Sequence, residues 1–292
     1  MEELIFELKT LNESVQRLID FFIPAQDPKI FDEFKALKVV SRNSRLALRG
    51  IADPDPIRFS ELRGIDSVIQ NLRENTEHFI EGLPCNNVLL HGPRGTGKSS
   101  AIKATLNEYA ERGLRMVEMP RDTLLHLFAV ADVIRGRHER FIAFCDDLSF
   151  EKEETGYREL KAVLEGGLET KPANMLIYAT SNRRHLMPES QKDNLPVYAA
   201  GELHPTETLE EKISLSDRFG LRIGMLNFDA ETYLDIVNNY VIRRGITIDF
   251  EDLKSKALQW SLSHGSYSGR TARQFIDDLE GRMRFQKKMR GG

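Results

Sequence analysis

The stretch Gly92–Ser99, GPRGTGKS, constrains this chain more than any other. It matches G-x-x-x-x-G-K-[ST] and directly follows the apolar run NVLLHG at 87–92. Its glycines let the backbone wrap tightly, so that several N–H groups can converge on one anion. A helix expected from residue 98 would add the partial positive charge of its N-terminus at the same point. Strand, glycine turn and helix in that order predict a phosphate cradle. Its expected members are Gly92, Pro93, Arg94, Gly95, Thr96, Gly97, Lys98, Ser99 and Ser100. In such a cradle Lys98 reaches the β- and γ-phosphates and Ser99 supplies an oxygen to Mg²⁺.

The surrounding pattern repeats strand and helix. Apolar runs at 114–120 (LRMVEMP), 140–147 (RFIAFCDD), 174–182 (NMLIYATSN) and 222–226 (RIGML) read as further strands. Helical stretches are expected at about 98–112, 122–135 and 157–166 between them, which argues for a parallel sheet covered on both faces. After Asn227 the strands stop, and three helices are expected at 229–244, 249–263 and 268–286, with Asp229 and Asp249 as N-caps. At the other end, Leu4, Leu8, Leu11, Val15, Leu18 and Phe22 form one apolar helical stripe. Residues 29–50 read as a second helix, because Lys38, Arg42, Arg45 and Arg49 recur at helical spacing; DPDP at 53–56 then reads as a linker.

By Asp147 the chain resembles the AAA+ ATPases, and more narrowly a bacterial group of them with no assigned function; helicase loaders are more distant. The resemblance rests on LRGID (62–66), RFIAFCDD (140–147), YATSNRR (178–184), LSDRFG (215–220) and SGRTARQF (268–275), in that order, over about 57–286. It implies an α/β protein: a three-layer αβα P-loop NTPase core with a parallel sheet over 57–226 and a small all-α lid over 227–292. N-terminal helices are expected over 1–52. It also implies roles. Ile65 would lie against the adenine. Asp146 would hold Mg²⁺ together with Ser99, and Asp147 would orient the attacking water or take its proton. Asn182 would hold that water. Arg218 would reach the nucleotide of the next subunit, with a local ion pair to Asp217 as the alternative. Arg270 would read the γ-phosphate within its own chain, with Arg273 as its rival.

The chain departs from the resemblance at Asp147, where a glutamate is usual. An aspartate is one methylene shorter, so its carboxylate sits back unless the backbone compensates; Glu151 and Glu153 lie beyond the strand end. The short MPRDTLL (119–125) has no aromatic tip and argues against polypeptide threading.

With a net charge of −4 the chain has no global basic field, so nucleic acid as a partner rests on the 38–49 stripe and the tail RMRFQKKMR (282–290). Two cysteines are too few for a disulfide framework and no segment has about 18 consecutive apolar residues, so a cytoplasmic protein off the membrane is expected. The expected ligands are ATP, ADP and Mg²⁺, and the expected partners are further copies of the chain and an unidentified protein. Three functions compete: an assembly-dependent ATPase, a nucleotide-gated binding module with negligible turnover, and a small-molecule kinase. The last fits Asn182, Arg218 and a C-terminal helical region poorly.

Overall fold

A computed structural model describes residues 29–42, 45–149, 160–164, 170–182, 198–199, 202–203 and 215–290. The elements are α1 (Ile30–Glu33), β1 (Ala36–Arg42), β2 (Arg45–Gly50), α2 (Asp66–Ile80), β3 (Val88–His91), α3 (Lys98–Tyr109), β4 (Leu114–Glu118) and α4 (Leu127–Ile134). They continue with β5 (Arg140–Cys145), β6 (Met175–Ser181), the short pair β7 (Tyr198–Ala199) and β8 (Glu202–Leu203), β9 (Leu221–Gly224), α5 (Ala230–Arg244), α6 (Phe250–His264) and α7 (Gly269–Arg290).

Seven strands form one sheet in the order β2-β1-β4-β5-β6-β3-β9. Every pairing is parallel except that of β1 with β2. Strands buried on both faces need apolar side chains at successive positions, and β6 is buried along its whole length. Alternation then divides the core. Leu89, Val117, Phe141, Ala143 and Ile177 face α4 on one side, together with Leu160 and Val163. Val88, Leu90, Ile142, Leu176 and Tyr178 face α2 and α3 on the other. This is the expected three-layer α/β core. A third cluster, with Tyr233, Val237, Leu253, Ala257, Phe275 and Ile276, lies inside the three C-terminal helices. Asp229 caps α5 through Thr232 N, and Asp249 caps α6 through Glu251 N and Asp252 N, as their positions led us to expect.

The helix expected over 29–50 is not formed. Only Ile30–Glu33 is helical there, and 36–50 is an antiparallel hairpin pairing Lys38 with Arg49 and Arg42 with Arg45. The reason is a period of two beneath the basic spacing: Leu37, Val39 and Leu48 are buried on one face. β1 also pairs with β4, so this segment extends the main sheet rather than forming a separate helical region. Lys38 bonds Glu118 on β4 at 2.8 Å, which removes one charge from the supposed basic stripe. The apolar stripe at 4–22 lies outside the described residues, as do Glu151 and Glu153. Residues 121–126, in the segment argued above to be non-threading, form a 3₁₀ turn. Among the described residues no helix is long and apolar enough to cross a membrane.

Strand order positions the chemistry. β6 lies between β5 and β3, so its C-terminal tip stands beside both the acid pair that ends β5 and the loop that leaves β3. Such carboxyl ends of parallel strands are where open α/β sheets bind ligands.

Candidate functional site

The loop from β3 to α3 turns on three glycines with positive φ: Gly92 (140°), Gly95 (80°) and Gly97 (95°). At Gly92 a side chain is excluded by space as well, since a Cβ would stand 2.1 Å from the Met225 carbonyl oxygen. Thr96 is buried and its hydroxyl donates to the Pro93 carbonyl at 3.0 Å, which closes the loop on itself. Lys98 is 6% exposed, and its ammonium donates to the carbonyls of Gly92 (2.8 Å) and Pro93 (2.6 Å). Burial pushes the Lys98 pKa below the ordinary lysine range, while Asp147 and then Asp146 hold it partly up.

The acid pair is bound from the neighbouring strand. Asp146 Oδ1 accepts from Ser99 Oγ at 2.6 Å and from Thr180 Oγ1 at 2.6 Å. The Thr180 hydroxyl in turn accepts the Asp147 N–H at 2.8 Å. Asn182 Nδ2 donates to Asp147 Oδ1 at 2.5 Å. Asp147 is the one non-glycine among the described residues with positive φ, at 52°. Ser99 and Asp146 thus present hydroxyl and carboxylate oxygens side by side at the mouth of the cradle, a donor set that suits Mg²⁺. The buried lysine and the glycine-lined loop suit a polyphosphate.

A cleft of about 490 Å³ runs from this loop to the C-terminal helices. Arg94 to Ser100, Asp146, Asp147, Thr180 and Asn182 line its polar end. Ile57, Leu62, Ile65, Phe228, Ile236 and Tyr240 line its apolar end. Ile65 is 6% exposed there, and its Cδ1 would be 3.6 Å from a Cβ on Gly97. The segment around Ile65 is tied to α5: Glu61 pairs with Arg243 at 2.9 Å, and the Glu61 carbonyl accepts from Asn239 at 2.9 Å. The start of α7 touches the phosphate loop directly, and both Arg270 and Arg273 line the cleft, so position does not separate these two rivals. Arg218 stands apart from the cleft-lining residues, just after Asp217. Its neighbour Asp217 pairs with Arg222.

Sequence reasoning missed Thr180, Phe228, Tyr240, Arg243 and Glu61. A signal existed for two of them, because Ile236, Tyr240 and Arg243 recur at i, i+4 and i+7 on one face of α5. Nothing in the sequence marked Thr180 apart from its place two residues before Asn182.

The family described as "Protein of unknown function (DUF815)" matches residues 32–283. The chain belongs to that family. No curated protein matches it. Among solved structures, a variant of RuvB from Thermotoga maritima is 14% identical, covering 76% of this chain and 72% of that one, with a TM-score of 0.48. The Thermotoga maritima RuvB described as a Holliday junction branch migration motor is 13% identical over the same shares, with a TM-score of 0.47. This DUF815 chain thus sets a mostly parallel sheet, a glycine-rich strand-to-helix loop and three C-terminal helices in a family whose description assigns no activity.

Proposed function

We propose that this chain is a Mg-ATP-binding AAA+ ATPase that hydrolyses slowly, depends on assembly with its own kind, and remodels or loads a protein or nucleic-acid partner. The observation that carries the reading is the linked set Ser99–Asp146–Thr180–Asp147–Asn182. Two hydroxyls, two carboxylates and one amide meet there at the mouth of a phosphate cradle. Mg-ATP would supply the reactive phosphoanhydride. Lys98 would balance phosphate charge, Ser99 and Asp146 would hold the cation, Asp147 would take or orient the proton of water, and Asn182 would fix Asp147. Arg270 would report the γ-phosphate to α7. The position of Arg218 outside its own cleft supports action on a neighbouring subunit, which makes turnover depend on assembly. A cytoplasmic setting is supported by two free thiols, Cys85 and buried Cys145.

The test is phosphate release measured against protein concentration, alongside mass measurement with and without Mg-ATP. We expect turnover per subunit to rise with concentration, to vanish in Lys98→Ala, and to flatten at a low level in Arg218→Ala. A flat, Arg218-independent rate would remove assembly dependence. One observation favours a second reading, a nucleotide-gated binding module: Asp147 is a methylene short and its carboxylate is already engaged by Asn182. Tight ATP binding without sustained release would decide for that module.

A further inference from the structure

From the bonds around the acid pair we infer that Thr180 is the positioning residue for Asp147, and that the left-handed backbone it holds is what fits an aspartate to this site. The inference rests on the hydrolytic reading for its kinetic consequence, though its structural part stands without it.

The Thr180 side chain makes two bonds with opposite polarity. Its hydroxyl hydrogen goes to Asp146 Oδ1 at 2.6 Å, and its oxygen lone pair receives the Asp147 N–H at 2.8 Å. The Thr180 backbone carbonyl takes the next amide, Leu148 N, at 2.7 Å. Three consecutive residues of the turn, 146 to 148, are therefore registered to one residue of β6. Thr180 is 1% exposed, so its own end of each bond is shielded from water, while Asp146 and Asp147 face the cleft. Two residues on, just past the end of β6, Asn182 holds the Asp147 carboxylate. Thr180 fixes the main chain of Asp147 from within β6, and Asn182 fixes its side chain from the residue that follows β6.

The φ of 52° at Asp147 is the consequence of that clamp. Short polar side chains such as Asp and Asn tolerate left-handed backbone far better than longer ones. A reversed backbone also redirects the side chain, so its reach is no longer set by chain length alone. The aspartate at this position and the left-handed turn are thus one feature. A glutamate would be poorly suited to the backbone and would extend past Asn182.

The experiment uses the full chain with Thr180→Val, Thr180→Ser and Asp147→Glu, and has two independent readouts. Valine keeps the shape and loses both side-chain bonds, whereas serine keeps the hydroxyl. In crystal structures of the variants, Thr180→Val is expected to lose the left-handed φ at Asp147 and the Asn182 contact, and Thr180→Ser to retain both. In phosphate-release assays Thr180→Val is expected to lower kcat about 100-fold with KM for Mg-ATP within about threefold, since a displacement of about 1 Å costs that much. Thr180→Ser should stay near wild type. Asp147→Glu should lower turnover, not raise it. An unchanged Asp147 conformation in Thr180→Val overturns the inference. So does a Thr180→Val effect on KM alone, or a large gain in Asp147→Glu. Absence of phosphate release from the wild type would overturn the hydrolytic reading, and the crystallographic arm would then decide the positioning role by itself. A melting curve separates either result from misfolding in Thr180→Val.

Discussion

The amide of Gly269, the first residue of α7, donates to the carbonyl of Gly95 in the phosphate loop at 2.8 Å. Loop and C-terminal helices thus share one backbone bond, and there is no room beside it. A Cβ on Gly95 would stand 2.7 Å from Ser268 Cβ and 2.8 Å from Ser268 Oγ. Ser268 is itself fixed, since its hydroxyl accepts from Thr271 N at 3.1 Å. Gly95 also sits at φ 80°, where any other residue is strained. Gly95→Ala should therefore push the start of α7 off the loop. Nucleotide affinity measured by calorimetry should fall on the order of tenfold, about 1.4 kcal/mol. Unchanged affinity together with an unmoved α7 would contradict this coupling.

The apolar end of the cleft is closed by a second tie. Asn239 on α5 donates to the Glu61 carbonyl at 2.9 Å, and Arg243 pairs with the Glu61 carboxylate at 2.9 Å. Arg243 is well exposed, so the ion pair should contribute little, about 0.5 kcal/mol. The Asn239 bond is part-buried, and losing it should cost about 1 kcal/mol. Asn239→Ala is accordingly expected to weaken nucleotide binding more than Arg243→Ala does, with added salt affecting only the latter pair. A larger loss of affinity in Arg243→Ala than in Asn239→Ala, erased by added salt, would show that the ion pair dominates instead.

Much of the core was legible because its signals are local. A phosphate loop is written in one short stretch of sequence, and strands buried on both faces show as runs such as VLLH and FIAFC. The hairpin at 36–50 was misread because four basic residues at helical spacing overlay a period of two in Leu37, Val39 and Leu48. Burial against β4 decided between the two periods, and burial is a tertiary fact. Thr180 was invisible for a different reason. Its role comes from a strand order that sets β6 beside β5, and no spacing along the chain encodes that neighbour. The left-handed turn at Asp147 was hidden in the same way, although the unusual aspartate was its one outward sign.

The cysteines give a check on the core near the acid pair. Cys145 immediately precedes Asp146, is fully buried, and has its thiol pushed up to about 12 by burial. Cys85 is half-buried, and burial raises its thiol too, against the opposing charges of Lys171 and Arg140. Thiolate is the reactive form. At pH 8 a maleimide should label Cys85 slowly, more slowly than a free thiol, and leave Cys145 untouched until the chain unfolds. Mass spectrometry of intact protein would show one adduct in buffer and two in denaturant. Rapid double labelling under native conditions would mean that β5 opens far more readily than its burial implies.

The buried ammonium of Lys98 makes nucleotide binding depend on pH in a definite sense. Its pKa is lowered chiefly by burial, with Asp147 and Asp146 acting in the opposite direction. The charged form binds phosphate, so affinity is full below this lowered pKa and falls as pH rises through it. That alkaline limb must lie below the pH expected for an ordinary lysine. Asp147→Asn removes the larger of the two opposing influences while keeping a residue that tolerates the left-handed backbone. The Lys98 pKa should then drop further, and the alkaline limb of affinity should move to lower pH. Titrating a fluorescent nucleotide against both proteins between pH 7 and 10 would measure the shift. A limb that moves upward, or stays in place, would mean that Asp147 does not act on Lys98.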